Sequence, residues 1–173
     1  MDQVSMRKMW ILIIACAVLF MAMFPAVRSA VDAKADEQLI TCWVMCRPGD
    51  YVNVRMSASK QSREVGYLEC GDSFLTDGCT RNGFIRVYSV GEGSEGWVYS
   101  GYTVTEKPVE VYETYCCVSR GRVAVRRWMN GPKVATTPWI VNGSTVTVFC
   151  EADGWAVTSR GYIQSRYLEA DPQ

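Results

Sequence analysis

An internal repeat that includes its cysteines is the feature that most constrains how this chain can fold. With a shift of 71 positions, residues 44–84 align with residues 115–155 without a gap. The alignment superimposes Val52-Asn-Val-Arg55 on Val123-Ala-Val-Arg126, Cys46 on Cys117, and Cys79 on Cys150. Two cysteines 33 positions apart in both repeats most simply indicate one disulfide in each. The sequence therefore predicts two small, cross-linked modules in tandem.

The N-terminal segment has the pattern of a secretory signal. Arg7 and Lys8 precede an uncharged apolar run over residues 9–26, which is followed by small residues. We predict a signal peptide over 1–29, with cleavage after Ser29 or Ala33, and a flexible segment over 30–40. An uncleaved membrane anchor is the alternative, because the run of 18 apolar residues just reaches the length that spans a bilayer. Both alternatives predict a secreted protein or one of the periplasm or cell envelope.

Net charge and chain length restrict the kinds of partner and the size of the modules that this protein can have. Removal of residues 1–29 takes away three of the 18 basic and one of the 18 acidic residues, which leaves 15 against 17. Such a balance, with no basic patch, argues against a nucleic-acid partner. Two modules sharing the remaining chain would each bury little apolar surface. A disulfide that closes a loop of this length adds roughly 3–4 kcal/mol of stability, and disulfides suit an oxidising compartment.

The apolar pattern is that of β-strands. Residues 144–150 alternate polar and apolar side chains, which places Val146, Val148 and Cys150 on one face, and Leu75 and Cys79 occupy the matching positions of the first repeat. Asn82-Gly83 and Asp153-Gly154 predict two-residue hairpin turns. The fold class is all-β, with modules over 41–104 and 110–170 joined by a linker over 105–109.

Several motifs resemble those of bacterial SH3-like (SH3b) domains. They are Val52-Asn-Val-Arg55, Val65-Gly66, Gly71, Asn82-Gly83-Phe84 and Gly96-Trp97-Val98 in the first repeat. The second repeat keeps Val125-Arg126, Asp153-Gly154-Trp155, Gly161-Tyr162-Ile163 and Tyr167-Leu168. The resemblance covers residues 43–169 and implies two tandem SH3-like small barrels of a kind that commonly binds bacterial cell-wall peptides. Paired cysteines depart from the usual pattern of that family.

The absence of histidine argues against catalysis. Cysteine peptidases that cut cell walls need an imidazole beside the thiolate, and zinc amidases use imidazole ligands, but the chain contains no histidine. A carboxylate-only hydrolase would need two acids roughly 5–10 Å apart, and no such pair is evident. We predict a protein that is not an enzyme and needs no cofactor.

The cysteines allow two interpretations. A four-thiolate zinc site is disfavoured because the spacings lack short Cys-x-x-Cys knuckles, and because the second repeat has Glu113 and Val141 where the first has Cys42 and Cys70. We therefore predict no metal site and three disulfides: Cys46–Cys79, Cys117–Cys150 and Cys42–Cys70. Cys116 is left single, although it is adjacent to Cys117 and the two can exchange roles.

Aromatic and arginine side chains are the candidates for ligand binding, because flat rings give a large contact area at little entropic cost. Phe84, Trp97 and Trp155 follow turns and are expected in the core. Arg55 and Arg126 share a motif position at which an arginine typically acts as a brace that stabilises the fold, rather than as a contact to a ligand. Trp128 beside Arg126 and Arg127 suits a carboxylate-bearing peptide, with a cation–π brace as the alternative. The predicted ligand-binding residues are Tyr51, Tyr99, Tyr102, Arg126, Trp128, Tyr162 and Tyr167.

Together these observations predict a non-catalytic binding protein of the cell envelope that recognises peptidoglycan peptides through two SH3-like modules. The alternative is a protein–protein interaction module, acting as an envelope scaffold or as an inhibitor of a secreted enzyme. A structural or redox role of the unpaired thiol is a third hypothesis. The expected partners are cell-wall peptides or an envelope or secreted protein, with no nucleic acid, and a membrane only if the N-terminal segment is uncleaved.

Overall fold

A computed structural model describes residues 39–90 and 94–171, and these residues form β-strands joined by turns and irregular loops. The predicted signal peptide over 1–29 and the segment over 30–38 lie outside the described residues. The first repeat contains β1 (Ile40–Val44), β2 (Tyr51–Arg55), β3 (Glu64–Glu69), β4 (Ser73–Thr76), β5 (Thr80–Arg81), β6 (Phe84–Val90), β7 (Ser94–Tyr99) and β8 (Thr103–Val104). The second contains β9 (Val109–Cys117), β10 (Val123–Ala124), β11 (Trp139–Ile140), β12 (Thr145–Ala152), β13 (Trp155–Thr158), β14 (Gly161–Gln164) and β15 (Leu168–Ala170). A 3₁₀ turn precedes the last strand of each repeat, at Ser100–Tyr102 and Ser165–Tyr167. The predicted all-β class is confirmed.

Both repeats follow the same strand path. The first forms an antiparallel sheet in the order β3-β2-β7-β6-β4-β1-β8, with β5 beside β6, and the second has the order β14-β13-β12-β9-β15. β10 and β11 form a separate pair. Arg126, two residues after β10, forms an isolated bridge with Tyr162 in β14, at the position where Arg55 of β2 pairs with Trp97 of β7 in the first repeat. No ladder joins β3 to β8 within the described residues, so the two closed barrels that the resemblance implies are not shown by the strand pairing.

A glycine is required at one position of β7 and at the matching position of β14, where the chain passes close to β2 and to the residues after β10, respectively. A Cβ atom on Gly96 would lie 2.4 Å from Val54 Cγ1, and one on Gly161 would lie 2.6 Å from the Arg126 carbonyl oxygen. Either contact is too short for real atoms, so the backbone approaches closely only because the side chain is hydrogen. This explains the glycine that opens the Gly-aromatic motif of each repeat.

The turn predictions are confirmed. Asn82 and Gly83 have φ values of 52° and 77°, and Asp153 and Gly154 have φ values of 48° and 72°. Positive φ at both central residues is the signature of the type I′ hairpin that these dipeptides favour.

The predicted buried face is right in β12 and wrong in β4. Val146, Val148 and Cys150 are buried as expected, but β4 buries Phe74 and Thr76 and exposes Leu75. The strand register explains the difference. Trp43 of β1 pairs with Ser73, and Cys116, which occupies the same position in β9, pairs with Thr145. Ser73 therefore corresponds to Thr145, whereas the ungapped alignment matches it with Ser144, and a slip of one position reverses which face of a strand is buried.

The cysteine alignment is also wrong at its first position. The Val44 N–H donates to the Asp72 carbonyl, and the equivalent bond runs from the Cys117 N–H to the Ser144 carbonyl. Val44, not Cys46, is thus the counterpart of Cys117. The segment between this position and the next motif valine has seven residues in the first repeat (45–51) and five in the second (118–122). The equal cysteine spacing in the two repeats does not reflect equivalent positions.

None of the three predicted disulfides is formed, and all seven described cysteines are free thiols. Cys46 and Cys79 lie beyond opposite ends of the β1–β4 ladder, which runs from Trp43–Ser73 to Ile40–Thr76. Cys117 follows Cys116, whose partner in β12 is Thr145, and Cys150 lies five positions further along that strand. At about 3.4 Å per residue, the separation of Cys117 and Cys150 exceeds the roughly 7 Å between Cα atoms that a disulfide tolerates. Cys70 directs its thiol toward Cys150, with the two Sγ atoms 3.9 Å apart, and not toward Cys42.

Three apolar clusters stabilise the fold. One lies within the first repeat, one within the second, and the third combines both. The third cluster contains Met45, Val104, Met129, Cys150, Ala152, Trp155, Val157 and Tyr162. The linker is fastened as well, because the Asp153 carboxylate accepts hydrogen bonds from the backbone N–H groups of Thr105 (2.8 Å) and Glu106 (3.2 Å). The described residues accordingly belong to one compact unit.

In the part of the chain that the structure describes, no helix is long and apolar enough to cross a membrane.

Candidate functional site

A cavity of about 800 Å³ lies between the two repeats and is lined by both. We refer to it as the shared cavity. Its walls contain six of the seven residues that the sequence predicts for ligand binding, namely Tyr51, Tyr99, Tyr102, Arg126, Trp128 and Tyr162. Tyr167 does not contribute to it.

One wall of the shared cavity is aromatic. Tyr99 at the end of β7 and Tyr102 in the following 3₁₀ turn come from the first repeat, and Trp128 comes from the loop after β10 in the second. The ring centroids of Tyr99 and Trp128 are 5.3 Å apart at an interplanar angle of 85°. Tyr102 lies 6.2 Å from Trp128 and 6.1 Å from Tyr99. These separations are those of favourable edge-to-face and tilted aromatic pairs.

Two glycines provide the space for Trp128. A Cβ atom on Gly101 would lie 2.4 Å from the indole Cδ1, and one on Gly131 would lie 2.3 Å from Nε1. The Met129 N–H also donates to the Gly101 carbonyl at 3.1 Å. The loop of the second repeat is thereby fixed to the 3₁₀ turn of the first. Neither glycine was predicted from the sequence, since neither belongs to a repeated motif.

Tyr162 forms part of the cavity floor and connects the repeats. It is 4% exposed, and its hydroxyl donates to the Met45 carbonyl at 2.7 Å. Burial raises the pKa of Tyr162 well above its ordinary value, so the phenol stays protonated and remains a donor. Burial also raises the pKa of Tyr102, whose ring lies 6.0 Å from that of Tyr162. Tyr162 therefore positions the wall rather than offering a free polar group to a ligand.

The lining is strongly cationic. Its charged members are one carboxylate, Asp50, and six basic side chains: Arg47, Arg55, Lys60, Arg126, Arg127 and Arg160.

Some of these cations form ion pairs or hydrogen bonds with other groups of the protein. Arg55 pairs with Glu64 at 3.0 Å and donates to the Ser62 carbonyl at 2.8 Å, which fits the predicted brace. Arg126 donates to the Gly131 carbonyl at 2.5 Å, and Arg47 donates to the Ser159 carbonyl of the second repeat.

Lys60, Arg127 and Arg160 are in a different position. Within residues 39–90 and 94–171 the two ion pairs are Arg55–Glu64 and Arg86–Asp77, so these three cations face the cavity with no carboxylate within 4.0 Å. The Lys60 ammonium lies 5.1 Å from the Tyr99 ring and 5.5 Å from the Trp128 ring. Positive charge beside flat aromatic surface is an arrangement that can hold a carboxylate and pack against the chain that carries it.

Tyr51 and Tyr167 occupy the margins. Tyr51 is 63% exposed at the rim of the shared cavity, and its ring lies 5.5 Å from that of Tyr67. Tyr167 lies in a separate depression of the second repeat that Arg120, Arg122 and Trp139 also line. The sequence-equivalent tyrosines Tyr102 and Tyr167 therefore have different surroundings.

The aromatic residues that were expected in the core are mostly there. Phe84 and Trp155 are buried, while Trp97 is half-buried beneath the Arg86 guanidinium at 5.7 Å.

No group of three or more potential ligands is arranged to hold a metal ion among the described residues.

The fold and the cavity define an all-β protein of two docked repeats with a candidate binding site at their junction. No family model matches the chain, so its resemblance to SH3b domains stays a prediction, and no curated protein matches it. Among solved structures it is similar to NlpC1 from Trichomonas vaginalis, with 17% identity over 78% of this chain and 46% of that one, at a TM-score of 0.33. NlpC2 from Trichomonas vaginalis is similar with 17% identity over 78% and 49%, at a TM-score of 0.32. The chain spans about half the length of these proteins.

Proposed function

We propose that this protein is a non-catalytic binding protein of the cell envelope, and that its shared cavity recognises peptidoglycan peptides. The observation that carries the proposal is the combination, in one cavity, of an aromatic wall with three cations that have no carboxylate partner among the described residues. Peptides of this class present free carboxylates on a short extended chain. Charge-assisted hydrogen bonds to the carboxylate and packing against the rings would provide affinity and orientation.

The proposed stoichiometry is one ligand for each chain. Tyr99 and Tyr102 come from one repeat and Trp128, Arg127 and Arg160 from the other, so neither repeat holds the complete lining. The repeats would thus act together on one peptide rather than as two independent binding modules.

The chemistry of the lining favours binding over catalysis. The chain has no histidine to serve as a general base. Cys46 is the cysteine of the lining, and hydrogen bonding with Cys70, together with burial, raises its pKa. A thiol that stays protonated at neutral pH is a poor nucleophile.

A protein–protein interaction module is the second candidate. It is favoured by exposed apolar side chains on and beside the β2–β3 hairpin, which include Met56, Val65 and Tyr67. Such a surface would bind a folded partner outside the cavity.

The test is a sedimentation assay of the purified protein with peptidoglycan, before and after enzymatic removal of the stem peptides. We expect retention that disappears with the peptides and that falls when Arg127 and Arg160 are both changed to Gln. Arg122→Gln is the matched control, because Arg122 is an exposed arginine outside the shared cavity. Retention that survives removal of the peptides would contradict the proposal, and so would equal binding of the double variant and the control. Capture of a single stoichiometric protein from an envelope extract by both variants would favour the second candidate.

A further inference from the structure

Three thiols from both repeats meet at the junction, and we refer to them as the thiol cluster. Its members are Cys46, after β1, Cys70, between β3 and β4, and Cys150, in β12. The Sγ atoms of Cys70 and Cys150 are 3.9 Å apart. The Cys150 thiol also lies 3.9 Å from the Cys46 carbonyl. Cysteines 80 positions apart in the chain are thus brought into contact by the docking of the repeats.

Local structure on each side directs these thiols to the junction. In the first repeat, the turn after β3 is held by the Asp72 carboxylate, which accepts from the Glu69 N–H at 2.8 Å, and by the Gly71 N–H, which donates to the Val44 carbonyl at 2.8 Å. In the second, the register of β12 shifts between Val148 and Cys150. Val148 belongs to the core of the second repeat and Cys150 to the cluster between the repeats. The bulge turns the end of β12 toward the first repeat.

We propose that Cys70 and Cys150 form a disulfide that joins the two repeats covalently. The two sulfurs must approach from 3.9 Å to about 2.05 Å, a change of roughly 2 Å that small side-chain rotations can supply. The bond would close a long loop. Disulfides that close long loops restrict the unfolded chain most and therefore stabilise the folded protein most. It would also hold the two walls of the shared cavity together.

Cys70 is the attacking thiol of the pair. Hydrogen bonds from Cys150 and Cys46 stabilise its thiolate and lower the pKa of Cys70, and the thiolate is the reactive form. Cys70 is also half-buried rather than buried. Together with Cys150, Tyr51 and Tyr112 it lines a small cavity of about 260 Å³, which gives an oxidant a route to the sulfur.

A low-molecular-weight disulfide such as oxidised glutathione is the oxidant in this scheme. The Cys70 thiolate attacks one glutathione sulfur, forms a mixed disulfide and releases one glutathione thiolate. Cys150 then loses its proton and attacks the Cys70 sulfur, which releases the second glutathione thiolate. The leaving thiolates take up the two protons from the cysteines. Two protein thiols are oxidised to one disulfide, and one glutathione disulfide is reduced to two thiols.

Peptide mapping without reduction tests the pairing directly. The Cys79→Ser variant is used because trypsin then yields a peptide over 64–81 whose one cysteine is Cys70 and a peptide over 134–160 whose one cysteine is Cys150. Protein equilibrated with oxidised glutathione and alkylated should give these two peptides as one species that separates on reduction. Alkylation of both Cys70 and Cys150 would overturn the proposal. A link from 64–81 to the peptide over 35–55, which carries Cys42 and Cys46, would overturn it too.

Denaturant unfolding gives an independent test. In the Cys79→Ser background, Cys70→Ser and Cys150→Ser should each lower the unfolding midpoint of oxidised protein, and the loss should disappear in reducing buffer. Cys116→Ser is the control, since Cys116 lies outside the thiol cluster, and it should leave the midpoint of oxidised protein unchanged. Equal losses in oxidising and reducing buffer would mean that the variants only disturb packing, and would contradict the cross-link. Neither test requires a ligand, so their outcome is separate from that of the proposed function.

Discussion

The indole of Trp128, from the second repeat, lies edge-on against the ring of Tyr99, from the first, with centroids 5.3 Å apart at 85°. This contact places the aromatic wall of the shared cavity at the junction of the repeats. A candidate site of this kind depends on the docking of the two repeats as much as on the structure of either one.

Gly101→Ala and Gly131→Ala should each displace Trp128, because the new methyl groups would lie 2.4 Å and 2.3 Å from indole atoms. Overpacking of this kind costs roughly 1–3 kcal/mol. We expect a lower unfolding free energy in denaturant titrations and weaker retention on peptidoglycan. Gly121→Ala is the matched control, because no heavy atom lies within 4 Å of its added methyl group. Equal stability of all three variants would show that the glycines do not hold the indole in place.

Tyr162→Phe should destabilise the protein. The substitution removes the hydroxyl that donates to the Met45 carbonyl at 2.7 Å and leaves a buried acceptor without that partner. The expected cost is about 1–3 kcal/mol, measured as the change in unfolding free energy. Tyr112→Phe, at an exposed position, provides the comparison and should change stability much less. An unfolding free energy unchanged by Tyr162→Phe would exclude this hydrogen bond as a significant link between the repeats.

Asp153→Asn should loosen the linker. The Asp153 carboxylate accepts from the N–H groups of Thr105 and Glu106 and from the Thr105 hydroxyl, and hydrogen bonds to a charged acceptor are stronger than those to an amide. Asparagine tolerates the positive φ of this turn position, so the hairpin should remain. Amide hydrogen exchange at Thr105 and Glu106 should be faster by about tenfold, which corresponds to roughly 1.4 kcal/mol. Glu169→Gln, at an exposed site, is the control, and exchange rates equal to those of the unchanged protein would argue against fastening by Asp153.

Asp77 should make stability depend on pH in the acidic range. Its side chain is 6% exposed. Burial alone would raise the pKa of Asp77, but hydrogen bonds from the Cys79 N–H (2.8 Å) and the Tyr88 hydroxyl (2.9 Å), together with the charge of Arg86 at 3.3 Å, outweigh burial and lower it. A carboxylate with a lowered pKa stabilises the fold above the ordinary pKa of the unfolded chain, and this contribution is lost as pH falls through the folded-state value.

The measurement is the unfolding free energy of the unchanged protein and of Asp77→Asn between pH 6 and pH 2.5. At pH 6 the variant should be less stable by roughly 1–3 kcal/mol, and the difference should shrink as the pH falls. Glu113→Gln, at an exposed site, should run parallel to the unchanged protein. A difference that stays constant over the whole range would contradict the assignment of the pKa shift to Asp77.

Features that depend on neighbouring residues could be predicted from the sequence. Alternation predicted the buried face of β12, and the Asn-Gly and Asp-Gly dipeptides predicted both hairpins, because the pleat and the sign of φ are decided within a few residues. Six candidate ligand-binding residues were selected for their chemistry, and the structure places them around one cavity. That they form a single lining was not predicted, since it requires the two repeats to dock.

Register and cysteine proximity were decided by the tertiary structure. A one-position slip at β4 and a segment after β1 that is two residues shorter in the second repeat do not interrupt an ungapped sequence alignment. Yet they reverse a strand face and separate the cysteines that the alignment had matched. The contact between Cys70 and Cys150 arises from a bulge in one repeat, a turn in the other and the apolar core between them. By itself, the sequence determined the all-β class, the duplication and the turns, because these depend on local sterics and hydrophobic alternation. Which thiols meet and which rings share a wall depended on packing between segments that are distant in the chain.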